Sequence, residues 1–337
     1  MTTEIQSRVR TLGAELAAKL AEIEGRLAAG DDEESLYYRV AAVMDDCVGS
    51  LRELNLWGPE NRLLSSELWN AAGDWLARGW LLNRARTKPR GYAGDYEMLL
   101  RIFANAMCID PMGRLFDRYF QAEAAPQAVR NRMRMMAEWI GETVQRRGGG
   151  GGEENAAART KIAIVGSAFG PELRAALLAM DESARRTVRA TLLDLDPAAL
   201  EFAREQLAPL LRAEQLEVSN MNLFRMPERP RLAAELAGTQ LLLCPGLFDY
   251  LDDEAAARML RCLAGQLAPG GRLIVFQFAP HNPTRAYMEW FGNWYLTYRD
   301  DVALRRVVKA ADIRGVEIEY GAEELGVDLY VQITLSS

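Results

Sequence analysis

The sequence predicts two parts: an all-α N-terminal half and an α/β second half built on a Rossmann-like parallel sheet. Three stretches carry that prediction. In Lys161–Arg174, KIAIVGSAFGPELR, four apolar residues (Ile162 to Val165) read as a buried strand and Gly166 to Gly170 as a tight turn. Pro171 then suits the first turn of a helix, where a missing N–H costs nothing. Roughly 24 residues after Gly170, the apolar run TLLDLDP ends in Asp194 and Asp196, the offset at which a Rossmann-type site sets an acid against ribose hydroxyls. Finally, Leu267–Phe278, LAPGGRLIVFQF, reads as a helix end, a Pro-Gly-Gly turn and another buried strand.

The first half justifies its all-α reading element by element. Leu12, Leu16, Leu20, Ile23 and Leu27 recur at helical spacing over 3–30, closed by Gly30. Further helices are expected over 33–54 and 65–82. In the latter, Trp69, Trp75 and Trp80 cannot share one face, so some must pack on another element or line a cavity. The composition then changes at 87–98, TKPRGYAGDYEM. This stretch is expected to be an inter-helix turn with Asp95 capping a helix from Tyr96. It is equally a loop able to offer Arg90, Tyr92 and Tyr96 to a substrate or cofactor. Helices resume over 103–120 and 126–145. Arg146–Gly152, RRGGGGG, reads as a flexible linker and puts a domain boundary near residue 150.

The second half alternates: strand 161–165, helix 171–180, strand 188–194, helix 197–211, strands 215–219 and 239–244, helix 252–267, strand 272–278. Such alternation implies a parallel sheet with helices on both faces. Val316–Tyr320 and Val327–Leu335 read as a terminal hairpin. Between strand 272–278 and this hairpin, Asn282–Asp300 carries Tyr287, Trp290, Phe291, Trp294, Tyr295 and Tyr298 at helical spacing. An aromatic stripe on a helix is core more often than pocket, yet this one leaves a strand end, with Arg285 and Arg299 beside it.

Composition narrows the function classes. The 337 residues carry a net charge of −7, which disfavours a nucleic-acid partner held by phosphate neutralisation. Cys47, Cys108, Cys244 and Cys262 are scattered and there is one histidine, so neither a zinc site nor a disulfide scaffold is expected. No apolar run approaches the ~20 residues of a membrane span, and MTTEIQSRVR lacks a signal core. The expectation is a cytoplasmic soluble protein, with no nucleic acid or membrane span involved; a homodimer is compatible with the sequence, and a small-molecule substrate is what the resemblance given below implies.

In an open parallel sheet the ligand lies beyond the carboxyl ends of the strands. Those ends hold Gly166, Ser167, Ala168 and Gly170, then Asp194 and Leu195, then Asn222 and Leu223. They continue with Pro245, Gly246, Phe248, Asp249 and Tyr250, and then His281. Asp196, just before Pro197, suits a helix cap and so leaves Asp194 for the ligand. The imidazole of His281 is the side chain best poised to move a proton near neutral pH. Arg285, Trp290 and Trp294 follow it as candidates for an apolar acceptor.

Strand–GxxxG–helix, an acidic strand end and L-x-PGG-x-L-I-V, in that order, resemble the class I S-adenosylmethionine (SAM) dependent methyltransferases over roughly residues 160–337. That resemblance implies a parallel sheet with a C-terminal antiparallel hairpin strand, preceded here by an all-α helical cap domain. RGYAGDYEML, PGLFDYLDD and NPTRAYMEW…NWYLTYRD resemble a narrower group, bacterial methyltransferases of 3-hydroxypalmitic acid methyl ester biosynthesis, which esterify a fatty-acid carboxylate. The resemblance implies residues 1–150 as a substrate domain and 151–337 as the SAM-binding catalytic domain. It also implies Gly166 and Gly170 beside the methionine and ribose of SAM, Asp194 on the ribose hydroxyls and Asn222 near the adenine. Ser167, Ala168, Leu195, Leu223, Pro245 and Gly246 would complete the cofactor site. Tyr92, Tyr250 and His281 are then catalytic candidates, and Arg90, Tyr92, Tyr96, Phe248, Asp249, Arg285, Trp290 and Trp294 candidates for acceptor binding. Ala168 and Ile164 depart from the family pattern, which has a glycine and often an acid there. Two other readings stay open: a SAM-cyclising enzyme releasing methylthioadenosine and azetidine-2-carboxylate, and a non-catalytic SAM-binding protein.

Overall fold

The computed structural model describes residues 3–148, 159–229 and 233–337; most of the predicted glycine linker, from residue 149 on, lies outside them. The chain forms two compact units, one of 1–129 with 281–296, the other of 130–280 with 297–337. This division differs from a single cut at 150: the dividing point falls inside a long helix, and a later segment returns to the first unit.

The first unit is helical, as predicted: α1 (Thr3–Ala28), α2 (Glu33–Glu53), α3 (Arg62–Leu76), α4 (Trp80–Thr87), α5 (Tyr96–Ala104), α6 (Pro111–Ala122) and the start of α7 (Ala124–Gly148). Short acids set the starts. Asp32 accepts the Ser35 N–H at 2.9 Å, Asp95 the Met98 N–H at 3.0 Å and Asp110 the Gly113 N–H at 2.7 Å, each relieving an orphan donor of the first turn.

Two helices depart from expectation. The helix expected over 65–82 breaks between α3 and α4. At Gly79 a β-carbon would stand 3.0 Å from the Phe116 Cβ, so a larger residue would have to push that junction away from α6. There the buried Asp117 accepts the Leu81 N–H at 2.9 Å and starts a new helix. The aromatic stripe is helical only from Arg285 to Trp290, and the chain leaves the helix at Phe291. Gly292 and a left-handed Asn293 (φ 49°) follow, and the Trp294 N–H closes back on the Met288 carbonyl at 2.9 Å. The tryptophans of 65–82 divide as expected. Trp75 donates to Glu24 at 2.9 Å, whereas Trp69 and Trp80 lie under the guanidinium groups of Arg86 and Arg101.

The second unit is a seven-stranded sheet, β1 (Thr160–Val165), β2 (Val188–Asp194), β3 (Leu216–Asn220), β4 (Thr239–Cys244), β5 (Leu267–Phe278), β6 (Val316–Ala322) and β7 (Asp328–Leu335), in the order β3-β2-β1-β4-β5-β7-β6. β1 to β5 are parallel, and β7 runs antiparallel between β5 and β6. This is the Rossmann-like α/β sheet with a C-terminal antiparallel hairpin that the sequence predicts. Val165, Leu193, Leu242, Val275 and Val331 are buried together with helix residues such as Leu260 and Val307, which is why β1, β2, β4 and β5 read as continuous apolar runs. Helices Pro171–Ala179, Pro197–Leu207 and Asp253–Ala264 occur near their expected bounds; Glu182–Thr187 and Asp301–Ala311 are additional. Chain order reverses between β1 and β4, so the carboxyl ends of these two strands flank the crevice where such sheets hold ligands. Among the described residues no helix is long and apolar enough to cross a membrane.

Candidate active site

The turn after β1 is built for close backbone approach. Gly166 and Gly170 adopt φ of 72° and 64°, and Ala168, where the glycine pattern has its second glycine, is also left-handed at 46°. For a residue with a β-carbon that conformation is strained and persists only where its surroundings impose it. Here the imposing group is Asp194. Its Oδ2 accepts the Ala168 N–H at 2.7 Å while Oδ1 accepts the Asp196 N–H at 2.9 Å. The Gly166 and Ser167 N–H groups both donate to the Leu193 carbonyl, at 2.8 and 3.1 Å, so the turn is tied to the end of β2 on both sides. Burial raises the Asp194 pKa although its hydrogen bonds work the other way.

Asp196 takes the capping role, accepting the Ala198 N–H at 2.9 Å, and so leaves Asp194 to the turn. Each Asp194 oxygen keeps a second lone pair. The ends of β3 and β4 converge on the same point: a β-carbon added to Gly166 would meet Leu223 Cδ1 and Leu247 Cβ, each at 3.9 Å. A side chain there would stand between these two leucines. Asn222 starts the next turn, its Oδ1 accepting the Phe224 N–H at 3.1 Å, and Leu195 is half-exposed beside Asp194. In the turn after β4, Phe248 is buried in the core. Asp249 is also buried, accepting from the Phe278 N–H and Gln277 Nε2 at 2.9 Å each. Tyr250 is therefore the exposed member of that turn.

One group in this unit had no sequence signal. Arg132, on α7, is 8% exposed, and its Nη1 lies 2.7 Å from Asp328 Oδ2 at the start of β7. Its Nη2 stands 3.5 Å from where a Gly246 β-carbon would be. Burial works against the guanidinium's charge, but Asp328, Asp249 and Glu172 more than offset it, so its pKa is raised. Glu172, in the first turn of helix Pro171–Ala179, is buried with Oε1 unpartnered, and burial pushes its carboxyl up to about 7. Asp249 and Asp328 are raised as well, chiefly by burial. In RNRMRMM, Arg132 reads as one of several solvated helix charges; the partner that reveals it is distant in sequence.

The remaining predicted residues belong to the helical unit. Asp95 caps α5 as expected and is fully buried against Arg84, with Nε at 2.8 Å. Arg90 pairs with Glu97 at 2.7 Å and lies 4.6 Å over the Tyr96 ring, while Tyr92 is half-buried in the same loop. In the returning segment, Glu289 accepts from Gly58 N–H at 2.7 Å, Asn61 Nδ2 at 2.8 Å and Arg285 Nε at 2.8 Å. Arg285 also stacks 4.4 Å over Trp57. Trp290 is completely buried, Trp294 partly so, and His281 is exposed. The aromatic stripe thus serves this unit's core at Tyr287, Trp290 and Phe291.

No family model matches the chain, and no curated protein matches it. Solved structures do. A Bordetella parapertussis protein called a possible exported protein is 16% identical, with a TM-score of 0.56 and 97% of each chain covered. The CurJ carbon methyltransferase is 12% identical, with a TM-score of 0.50, covering 99% of this chain and 93% of that one. At these identities the chain shares their fold: a Rossmann-like α/β sheet preceded by helices.

Proposed function

We propose that this chain is a SAM-dependent methyltransferase acting on a small molecule, with O-methylation of a carboxylate or hydroxyl as its reaction. The observation that carries this reading is the convergence at Gly166. Three strand ends meet around a position with no side chain, and the turn there is held in a strained left-handed form by Asp194. That cradle fits an adenosyl group: the open face at Gly166 admits it, and the second lone pairs of Asp194 can accept from ribose hydroxyls. Asn222 and Leu195 stand at the adenine side. Arg132, its Nη2 beside Gly246, supplies a cation for the amino-acid carboxylate. We assign the sheet unit, residues 130–280 with 297–337, to the cofactor and the helical unit, residues 1–129 with 281–296, to the acceptor, in keeping with the narrower resemblance to fatty-acid carboxyl methyltransferases.

When bound, SAM supplies a methyl group on a sulfonium, which passes to the acceptor by in-line displacement. The chain's task is then alignment and exclusion of water. A carboxylate acceptor is already ionised near neutral pH and needs no base. A hydroxyl acceptor needs its proton taken, a role for His281 or Tyr250. The test is incubation with SAM, with and without long-chain fatty acids, and mass spectrometry of the nucleoside product. S-adenosylhomocysteine formed only with an acceptor supports the reading. Methylthioadenosine would replace it with SAM cyclisation, and binding without turnover would leave a SAM-binding protein.

A further inference from the structure

The sheet unit has a second cavity, of about 610 Å³, toward the opposite end of the sheet and mostly on other strands. It lies where β5 begins, β6 begins and β7 finishes; Arg272 faces Thr334 across one rung, and Thr334 faces Glu317 across the next. Helix α7 lines the other side through Trp139, Thr143 and Arg146.

Its inner end holds Arg272, 9% exposed. The guanidinium meets only neutral acceptors: Nη2 donates to Thr143 Oγ1 at 2.9 Å and Nη1 to Gln332 Oε1 at 3.3 Å. Among the described residues it pairs with no carboxylate. The Thr143 hydroxyl is itself committed to the Trp139 carbonyl at 2.6 Å, and the Gln332 amide donates to Glu319. Burial lowers the Arg272 pKa and Arg146 lowers it further, with Glu142 and Glu319 opposing. A cation kept out of water without an anion is costly, and native chains nearly always pair one. Beside it the Trp139 and Tyr330 rings meet edge to face at 5.2 Å and form an apolar wall. Glu317 and Glu319 stand exposed at the mouth.

We propose that this cavity binds an aromatic carboxylate: its anionic group pairs with Arg272, its ring lies along Trp139 and Tyr330, and a hydrogen-bond donor at its far end faces Glu317 and Glu319. The inference is independent of what the crevice at Gly166 holds. It differs from a purely structural role for Arg272 in one consequence. A cation kept for a ligand is a burden on the empty protein, whereas a cation that ties α7 to β7 supports it.

The test is isothermal titration of the full chain with 4-hydroxybenzoate and with 4-hydroxybenzamide, its uncharged counterpart. Thermal unfolding without ligand is measured alongside. The carboxylate should bind one to one and the amide at least tenfold more weakly. Arg272→Met should lose at least tenfold in carboxylate affinity while melting no lower than the wild type. Thr143→Asp, which supplies an internal anion beside Arg272, should likewise abolish binding without loss of stability, and it serves if Arg272→Met does not fold. Equal binding of acid and amide, no binding of either, or unchanged affinity in these variants would overturn the proposal.

Discussion

Asp194 Oδ2 accepts the N–H of Ala168 at 2.7 Å, and through that bond an acid at the end of β2 fixes a left-handed alanine at the end of β1. The acid proposed for the ribose hydroxyls is therefore also the one that sets the turn. Asp194→Asn cannot accept with its amide nitrogen, so either the Ala168 N–H or the Asp196 N–H loses its acceptor. SAM affinity by calorimetry is expected to fall at least tenfold, and unfolding stability by about 1–3 kcal/mol, the cost of one buried unsatisfied donor.

Ala168→Gly tests the strain directly. A left-handed residue with a β-carbon costs about 1–2 kcal/mol, and glycine's greater unfolded freedom returns about 0.5–1. The variant should be more stable than wild type by roughly 0.5–1 kcal/mol in urea unfolding. A clear loss would mean that the turn is not held as described.

Glu172→Gln should separate pH dependence from packing. Burial raises this carboxyl from an ordinary 4.5 to about 7. Its protonated form is thus the one the fold prefers, and that contribution is complete below 4.5 and lost as the pH rises through 7. The glutamine cannot ionise. At pH 8 it should be the more stable protein by up to about 3 kcal/mol, with little difference at pH 4. Urea midpoints at the two pH values check this.

Arg132→Met leaves Asp328 buried without its cation, an expected loss of about 3–5 kcal/mol. Adding Asp328→Asn should recover much of the stability. SAM affinity should stay low in the double variant, because the guanidinium beside Gly246 is still gone. Recovery of affinity together with stability would assign Arg132 to the fold alone.

His281→Ala reads the acceptor. For a carboxylate acceptor the loss should appear in KM with kcat within about threefold; a fall of a hundredfold or more in kcat would point to a hydroxyl, since general-base catalysis contributes about 10²–10⁴.

What was legible in the sequence follows a physical rule. The helix caps at Asp95 and Asp196, the succession of strands and helices along the chain and the parallel sheet they build depend on neighbours a few residues away or on runs of apolar residues. The break at Gly79 and the end of the aromatic helix at Phe291 were not legible. The first is imposed by Asp117 and Phe116 of α6. In the second, residues suited to a helix face give way to Gly292 and a left-handed Asn293. Arg132 and Glu172 escaped because a charge on a helix looks solvated until the fold buries it. At Ala168 the sequence lacked the expected glycine, yet the backbone takes the glycine conformation under the pull of Asp194.

The return of residues 281–296 to the helical unit has a consequence for synthesis. Glu289, which accepts from Gly58 and Asn61, emerges from the ribosome long after they do. At 5–20 residues per second that interval is on the order of ten to forty-five seconds. Throughout it the N-terminal helices lack Tyr287, Trp290 and Phe291, so the apolar surface those rings later cover stands open on the nascent chain. Translation speed and chaperone supply should accordingly govern the yield of this protein more than that of one whose units are each continuous in sequence.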